Sequence, residues 1–153
     1  MKTISIIFLL AATFINPADF QSNHQESEIT EIRFGTSFGM CSGYCIQEVT
    51  FKDGLVEKTL IPHREKSLEV KKCSKDYLGF ADLTSKIAIE PFKELEVTIG
   101  CPDCSDAGAE WVQIFTSDGI HKKVTYDYGK EPDAIKPYIE ELRKQYDQIG
   151  ECE

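Results

Sequence analysis

The chain has 153 residues, and 26 acidic side chains against 17 basic ones give it a net charge of −9. An acidic excess of this size repels phosphate and so excludes a nucleic-acid groove or an anionic membrane as the expected partner. The length suits one domain with a core large enough to fold without depending on disulfides.

The first residues read as an export signal. Lys2 gives a positive start, Ile4 to Ile15 are almost unbroken in apolar character, and Asn16 and Pro17 end the run. Such a run is too short to cross a bilayer and suits a signal-peptide core, with Ala18 as the cleavage residue. Residues 1–18 are therefore expected to be removed, which takes away Lys2 and no acid and moves the net charge from −9 to −10. The expected location is periplasmic or extracellular. No other stretch is apolar for long enough to span a membrane. Residues 19–28, "DFQSNHQESE", are polar and unpatterned and read as a flexible lead-in. The folded domain is expected over 29–150, with 151–153 as a tail.

Within that domain, "ITEIRF" (29–34) predicts a strand from its β-branched and aromatic residues. "CIQEVTF" (45–51) alternates so that Val49 and Phe51 share a face. The turn "KDG" (52–54) and the return strand "LVEKTLI" (55–61) complete a hairpin, with Pro62 expected to end it. "SLEVKKC" (67–73) predicts a third strand. Ser74 then reads as the N-cap of a helix carrying Tyr77, Phe80, Leu83 and Ile87, which Pro91 would stop. "LEVTIG" (95–100) predicts a strand leading into Cys101. In "EWVQIFTSDGIHKKVTYDYG", Trp111, Gln113 and Phe115 face one side and Val112 and Ile114 the other. Asp118-Gly119 makes the turn there, and Val124, Tyr126 and Tyr128 are expected on one face of the return strand. The stretch "DAIKPYIEELRKQYDQIG" predicts an amphipathic helix whose stripe is Ile135, Tyr138, Ile139, Leu142, Tyr146 and Ile149, stopped at Gly150. The order implies an α+β fold: an antiparallel sheet of hairpins with two helices, the C-terminal one amphipathic, packed on one face.

Six cysteines behind an export signal imply an oxidising compartment and disulfides. Cys41 and Cys45 lie in "FGMCSGYC", and Cys101 and Cys104 in "GCPDCSDAGAEW". Each near pair can close on itself, or the two loops can be cross-linked to each other, and spacing leaves both open. The two loops are expected to be neighbours in space. Cys73 and Cys152 can pair and fasten the C-terminal tail to the third strand.

The same residues admit two working chemistries. Cys-Pro-x-Cys after a strand is the thiol pair of thioredoxin-like and glutaredoxin-like proteins, where a helix N-terminus lowers the first thiol's pKa. Here "SDAGAE" and another strand follow Cys104, leaving no room for that helix, and Asp103 and Asp106 raise a thiol pKa. Alternatively, Cys41, Cys45, Cys101 and Cys104 have gaps that suit a four-thiolate zinc site, a chemistry disfavoured where thiols oxidise. Asp103, Asp106 and Glu110 do not follow a calcium-loop pattern. His24, His63 and His121 read as solvated, and no nucleophile elbow, metal-binding helix or phosphate loop is present.

"SFGMCSGYC", "GCPDCSDAGAEW" and "VTYDYG" together resemble a group of small exported bacterial proteins of unassigned function, over most of residues 29–149. A looser likeness is to an uncharacterised-domain family with Cys-x-Gly-x-Cys-Pro before an Asp-Gly hairpin, where Ile46 replaces the proline. The resemblance implies an exported single domain and no particular activity. The expected function is therefore non-enzymatic binding or scaffolding of a protein or small ligand, without a cofactor. The surface around Tyr44 and Trp111 is the expected site, since glycine-rich loops with aromatics often bind. Thiol–disulfide or metal handling by Cys101 and Cys104 is the alternative.

Overall fold

The computed structural model describes residues 27–150 and 152; the expected signal peptide, His24 and most of the lead-in lie outside the described residues. The chain forms strands β1 (Ile29–Ser37), β2 (Gly43–Lys52), β3 (Gly54–His63) and β4 (Lys71–Tyr77). Two short helices follow, α1 (Phe80–Ser85) and α2 (Ile89–Glu94). Then come β5 (Thr98–Ile99), a 3-10 turn at Cys104–Asp106, β6 (Ala109–Thr116), β7 (His121–Asp127) and α3 (Lys136–Ile149). The strands make a seven-stranded sheet in the order β4-β3-β2-β1-β6-β7-β5. Every pairing is antiparallel except β5 with β7.

The alternation read from the sequence decides which face is buried. Ile32 and Phe34 of β1 stand opposite Phe51 and Val49 of β2, and opposite Ile114 and Val112 of β6. These residues join Val56, Val124 and Tyr126 in one core with Phe80, Leu83, Phe92, Ile135, Tyr138, Ile139 and Leu142 of the helical segments. The helices thus cover one face. The opposite parity puts Arg33, Gly35, Glu48, Trp111, Gln113 and Phe115 on the other face, which no described helix covers.

The C-terminal helix follows its predicted stripe: Tyr138, Ile139 and Leu142 are buried, and Tyr146 and Ile149 pack against the core. Pro137 sits in its first turn, where its missing N–H has no bond to lose. The far end is held from the sheet. Lys75 Nζ donates to the carbonyl of Gln148 (2.9 Å), and Lys58 Nζ donates to that of Gly150 (3.0 Å) while lying over the Tyr146 ring. Cations at the last carbonyls satisfy orphan acceptors and complement the helix dipole.

Four expectations are corrected. The strand expected at 67–73 forms instead over Lys71–Tyr77, so Ser74 pairs with Glu57 in the ladder and caps no helix. The edge of β3 offers that stretch backbone partners, and Tyr77 packs on Phe51 with ring centroids 5.5 Å apart. The single helix expected after Ser74 is two short ones, and Pro91 lies in the first turn of α2 rather than stopping a helix. β3 runs through Pro62 to His63; the proline falls beyond the pairing with β4 and within an irregular stretch of the β2–β3 register, where no ladder donor is required. β7 ends at Asp127, so Tyr126 is buried in the core whereas Tyr128 projects from the following turn.

Candidate functional site

Both Asp-Gly turns form where expected, and in each it is the glycine that takes the positive φ, 74° at Gly54 and 82° at Gly119. The cysteine loops lie at the other end of the sheet. Cys41 is joined to Cys45 and Cys101 to Cys104, with Cα–Cα distances of 5.6 and 5.4 Å, so each near pair closes on itself. Cys73 is joined to Cys152 across 79 residues, tying the tail to β4. The alternative in which the loops cross-link each other is not what forms. The four sulfurs that a zinc site would need as thiolates are all engaged in disulfides.

The two loops are nevertheless neighbours, joined by a carboxylate rather than by sulfur. Asp103, between Cys101 and Cys104, accepts the Gly39 N–H (3.3 Å) and the Ser37 hydroxyl (3.4 Å) of the first loop. Its own N–H donates to the Gly108 carbonyl (3.1 Å), and its φ of 63° is left-handed, a conformation that aspartate tolerates better than most residues. Asp127 at the end of β7 accepts the Cys101 N–H at 2.8 Å. Phe38 lies against Gly108, where an added Cβ would stand 2.5 Å from the ring, and meets Tyr128 edge-on at 4.9 Å. Phe38 N–H donates to the Cys45 carbonyl (3.1 Å) and closes the first loop onto β2.

The disulfides differ in exposure. Cys45 and Cys152 are buried, whereas Cys101 and Cys104 are both exposed. Three carboxylates, Asp103, Asp106 and Asp127, belong to this loop and its anchor. They disfavour a thiolate there and so oppose its use as an attacking group.

Tyr44 and Trp111, expected to form the site, occupy different situations. Tyr44 is half-buried beside the first disulfide; its hydroxyl donates to the Glu69 carbonyl (3.0 Å), and Lys71 Nζ lies 5.8 Å from its ring centre. Trp111 is buried, with 6% of its surface exposed. It lies across Gly35, its direct partner in the β1–β6 ladder, and its indole N–H donates to Glu48 (3.3 Å). Lys123 caps the indole at 4.2 Å. The uncovered face continues in a stack of Arg33 over Phe115 (4.8 Å) and Phe115 on His121 (5.8 Å). Asp103, Phe38 and Tyr128, which join the loops, were legible only as members of the quoted motifs, because nothing in linear order brings positions 38, 103 and 128 together.

A buried ion cluster fixes the helix side of this end. Arg143 of α3 holds Glu110 through two donors and Glu131 through one (2.7 Å). The Arg143 hydrogen bond holds the Glu131 carboxyl below its ordinary range against the opposing effect of burial.

The fold and the loops define a disulfide-stapled, mixed α and β domain. No protein-family model matches the chain, and no curated protein matches it.

Proposed function

We propose that the chain is an exported, disulfide-stapled domain that acts by binding or scaffolding a protein or small ligand. The observation that carries this reading is the pair of closed cysteine loops joined through Asp103. Two small rings and a shared carboxylate hold a glycine-rich, aromatic surface in one conformation before any partner arrives, and preorganisation lowers the entropic cost of binding. The contact surface runs from Phe38, Tyr44 and Tyr128 at the loops onto the uncovered face of the sheet, with Trp111 as its buried support. Export rests on the apolar run at Ile4–Ile15 together with three disulfides, which persist in oxidising compartments. The likeness to small exported bacterial proteins points the same way.

A second reading, thiol–disulfide handling at Cys101–Cys104, is favoured by the exposure of that one pair. Thiol counting on protein purified from an oxidising compartment, before and after mild reduction and alongside metal analysis, separates the two. The stapled binding domain shows no free thiols, slow reduction and no stoichiometric metal. Rapid, reversible reduction of Cys101–Cys104 alone supports the redox reading, and about one zinc per chain supports thiolate metal handling.

A further inference from the structure

Among the described residues, one edge of the sheet is only half covered. β5 pairs with β7 at Thr98↔Thr125 and Ile99↔Tyr126 and reaches no further towards the start of β7. Thr125 N–H donates outward to the Val97 carbonyl (3.0 Å), whereas the Ile120 carbonyl points inward and accepts Thr116 N–H (2.9 Å). Strand alternation then places the N–H and C=O of His121 and Lys123 outward with Thr125, away from β6. Among the described residues no strand pairs with them on that side. A groove of about 540 Å³ runs along this edge, lined by Lys93, Val97, Ile120, His121, Lys122 and Lys123 with Thr125. Val97 and Ile120 are 67% and 46% exposed.

The charge of the groove is opposite to that of the molecule. The chain carries −9, yet this lining holds three lysines and no carboxylate. All three lysines are engaged: Lys122 donates to the carbonyls of Lys93 and Leu95, Lys123 lies over Trp111, and Lys93 pairs with the exposed Glu90 (2.9 Å), a surface ion pair weak enough for an incoming carboxylate to exchange. The Asp118 carboxylate beside the groove is engaged by the Thr116 hydroxyl and the Ile120 N–H.

We propose that the outer edge of β7 at His121–Lys123 docks an extended acidic peptide of a partner protein, which adds a short strand there and seats an apolar side chain between Val97 and Ile120. Open backbone groups supply the hydrogen bonds, the two apolar residues supply contact, and the lysines select carboxylates. A second copy of this chain is a poorer occupant, because like edges would set the His121–Lys123 segments against each other. This edge borders the uncovered sheet face through His121 and Lys123 but shares no residue with the cysteine loops, so amide protection at His121 and Lys123 reports on it apart from binding at the loops.

The test uses the disulfide-intact exported chain and two synthetic peptides, one alternating glutamate with valine and one alternating lysine with valine. Amide NMR shifts and hydrogen exchange are followed during titration. The glutamate peptide is expected to shift and protect the His121 and Lys123 amides and to bind at least about tenfold more tightly than the lysine peptide, weakening with salt. Val97→Glu, an exposed change that leaves the core intact, is expected to weaken that binding by about tenfold, and Lys93→Glu to do likewise. Absence of protection at the two amides, equal binding of both peptides, or protection arising without peptide as the chain dimerises would overturn the proposal.

Discussion

Gly35 carries a hydrogen where any other residue would collide with Trp111. A Cβ there would lie 2.3 Å from the indole and 2.8 Å from the Gln47 carbonyl oxygen. The indole is pinned by Glu48 and by Lys123, so it cannot slide away cheaply. Gly35→Ala is expected to cost about 2–3 kcal/mol, read as a lower urea midpoint with unchanged slope. Asp103 is the comparable residue in the loops. Asp103→Ala removes the acceptor for Gly39 and Ser37 and is expected to cost about 1 kcal/mol, with faster exchange at the Gly39 amide. Asp103→Asn keeps an acceptor and the left-handed tolerance and should lose less than half as much. The parity of Trp111 was legible from alternation. The need for glycine opposite it was not, because it depends on the register between β1 and β6.

At the level of elements, α3 is joined to β6 by charge as well as by apolar packing. Glu110 is almost wholly buried, and Arg143 is its charged partner. Arg143→Met would leave that carboxylate unpaired in the interior and is expected to cost about 3–5 kcal/mol near neutral pH. The acid side follows from Glu131, whose folded pKa the Arg143 hydrogen bond lowers below the ordinary 4.5. Its contribution is complete above that ordinary value and is lost as pH falls through the lower, folded one. Glu31 behaves alike: burial pushes it up, but bonds from Lys52 and Arg33 outweigh that and leave it lowered. Urea unfolding across the acid range should therefore show stability falling below the ordinary carboxylate pKa, with a shallower fall in Arg143→Met. The helix itself was legible from its stripe. Its ionic clasp was not, since Glu110, Glu131 and Arg143 meet only after β6 and α3 pack. The helix expected at Ser74 was misread because local capping signals lost to the open edge of β3, a partner distant in the chain.

For the whole molecule, the disulfide pattern decides how much of the fold each bond holds. Cys73–Cys152 closes a loop of 79 residues, whereas the other two close loops of 4 and 3. In the chain-entropy model the long bond contributes about 4.5 kcal/mol and each short one about 1.5–2 kcal/mol. The Cys73→Ser, Cys152→Ser double variant is expected to lose roughly two to three times the stability lost by Cys101→Ser, Cys104→Ser, compared by urea midpoints. Equal losses would mean that the long loop is already constrained in the unfolded chain. The pinning of Gln148 and Gly150 by Lys75 and Lys58 predicts the local consequence: without the long bond, exchange should quicken first in the last turn of α3.

The sequence by itself determined the alternating strands, the buried stripe of α3, the two Asp-Gly turns and the expectation of disulfides. These depend on periods of two and 3.6 residues, on glycine's access to positive φ and on redox compartment, all of which are local or compositional. Only the tertiary structure decided that the cysteine loops close separately and meet through Asp103, that Trp111 lies buried over Gly35, and that half of the β7 edge has no strand partner among the described residues. Each of these depends on strand order and register across dozens of residues, and no local pattern encodes which distant backbone an edge will find.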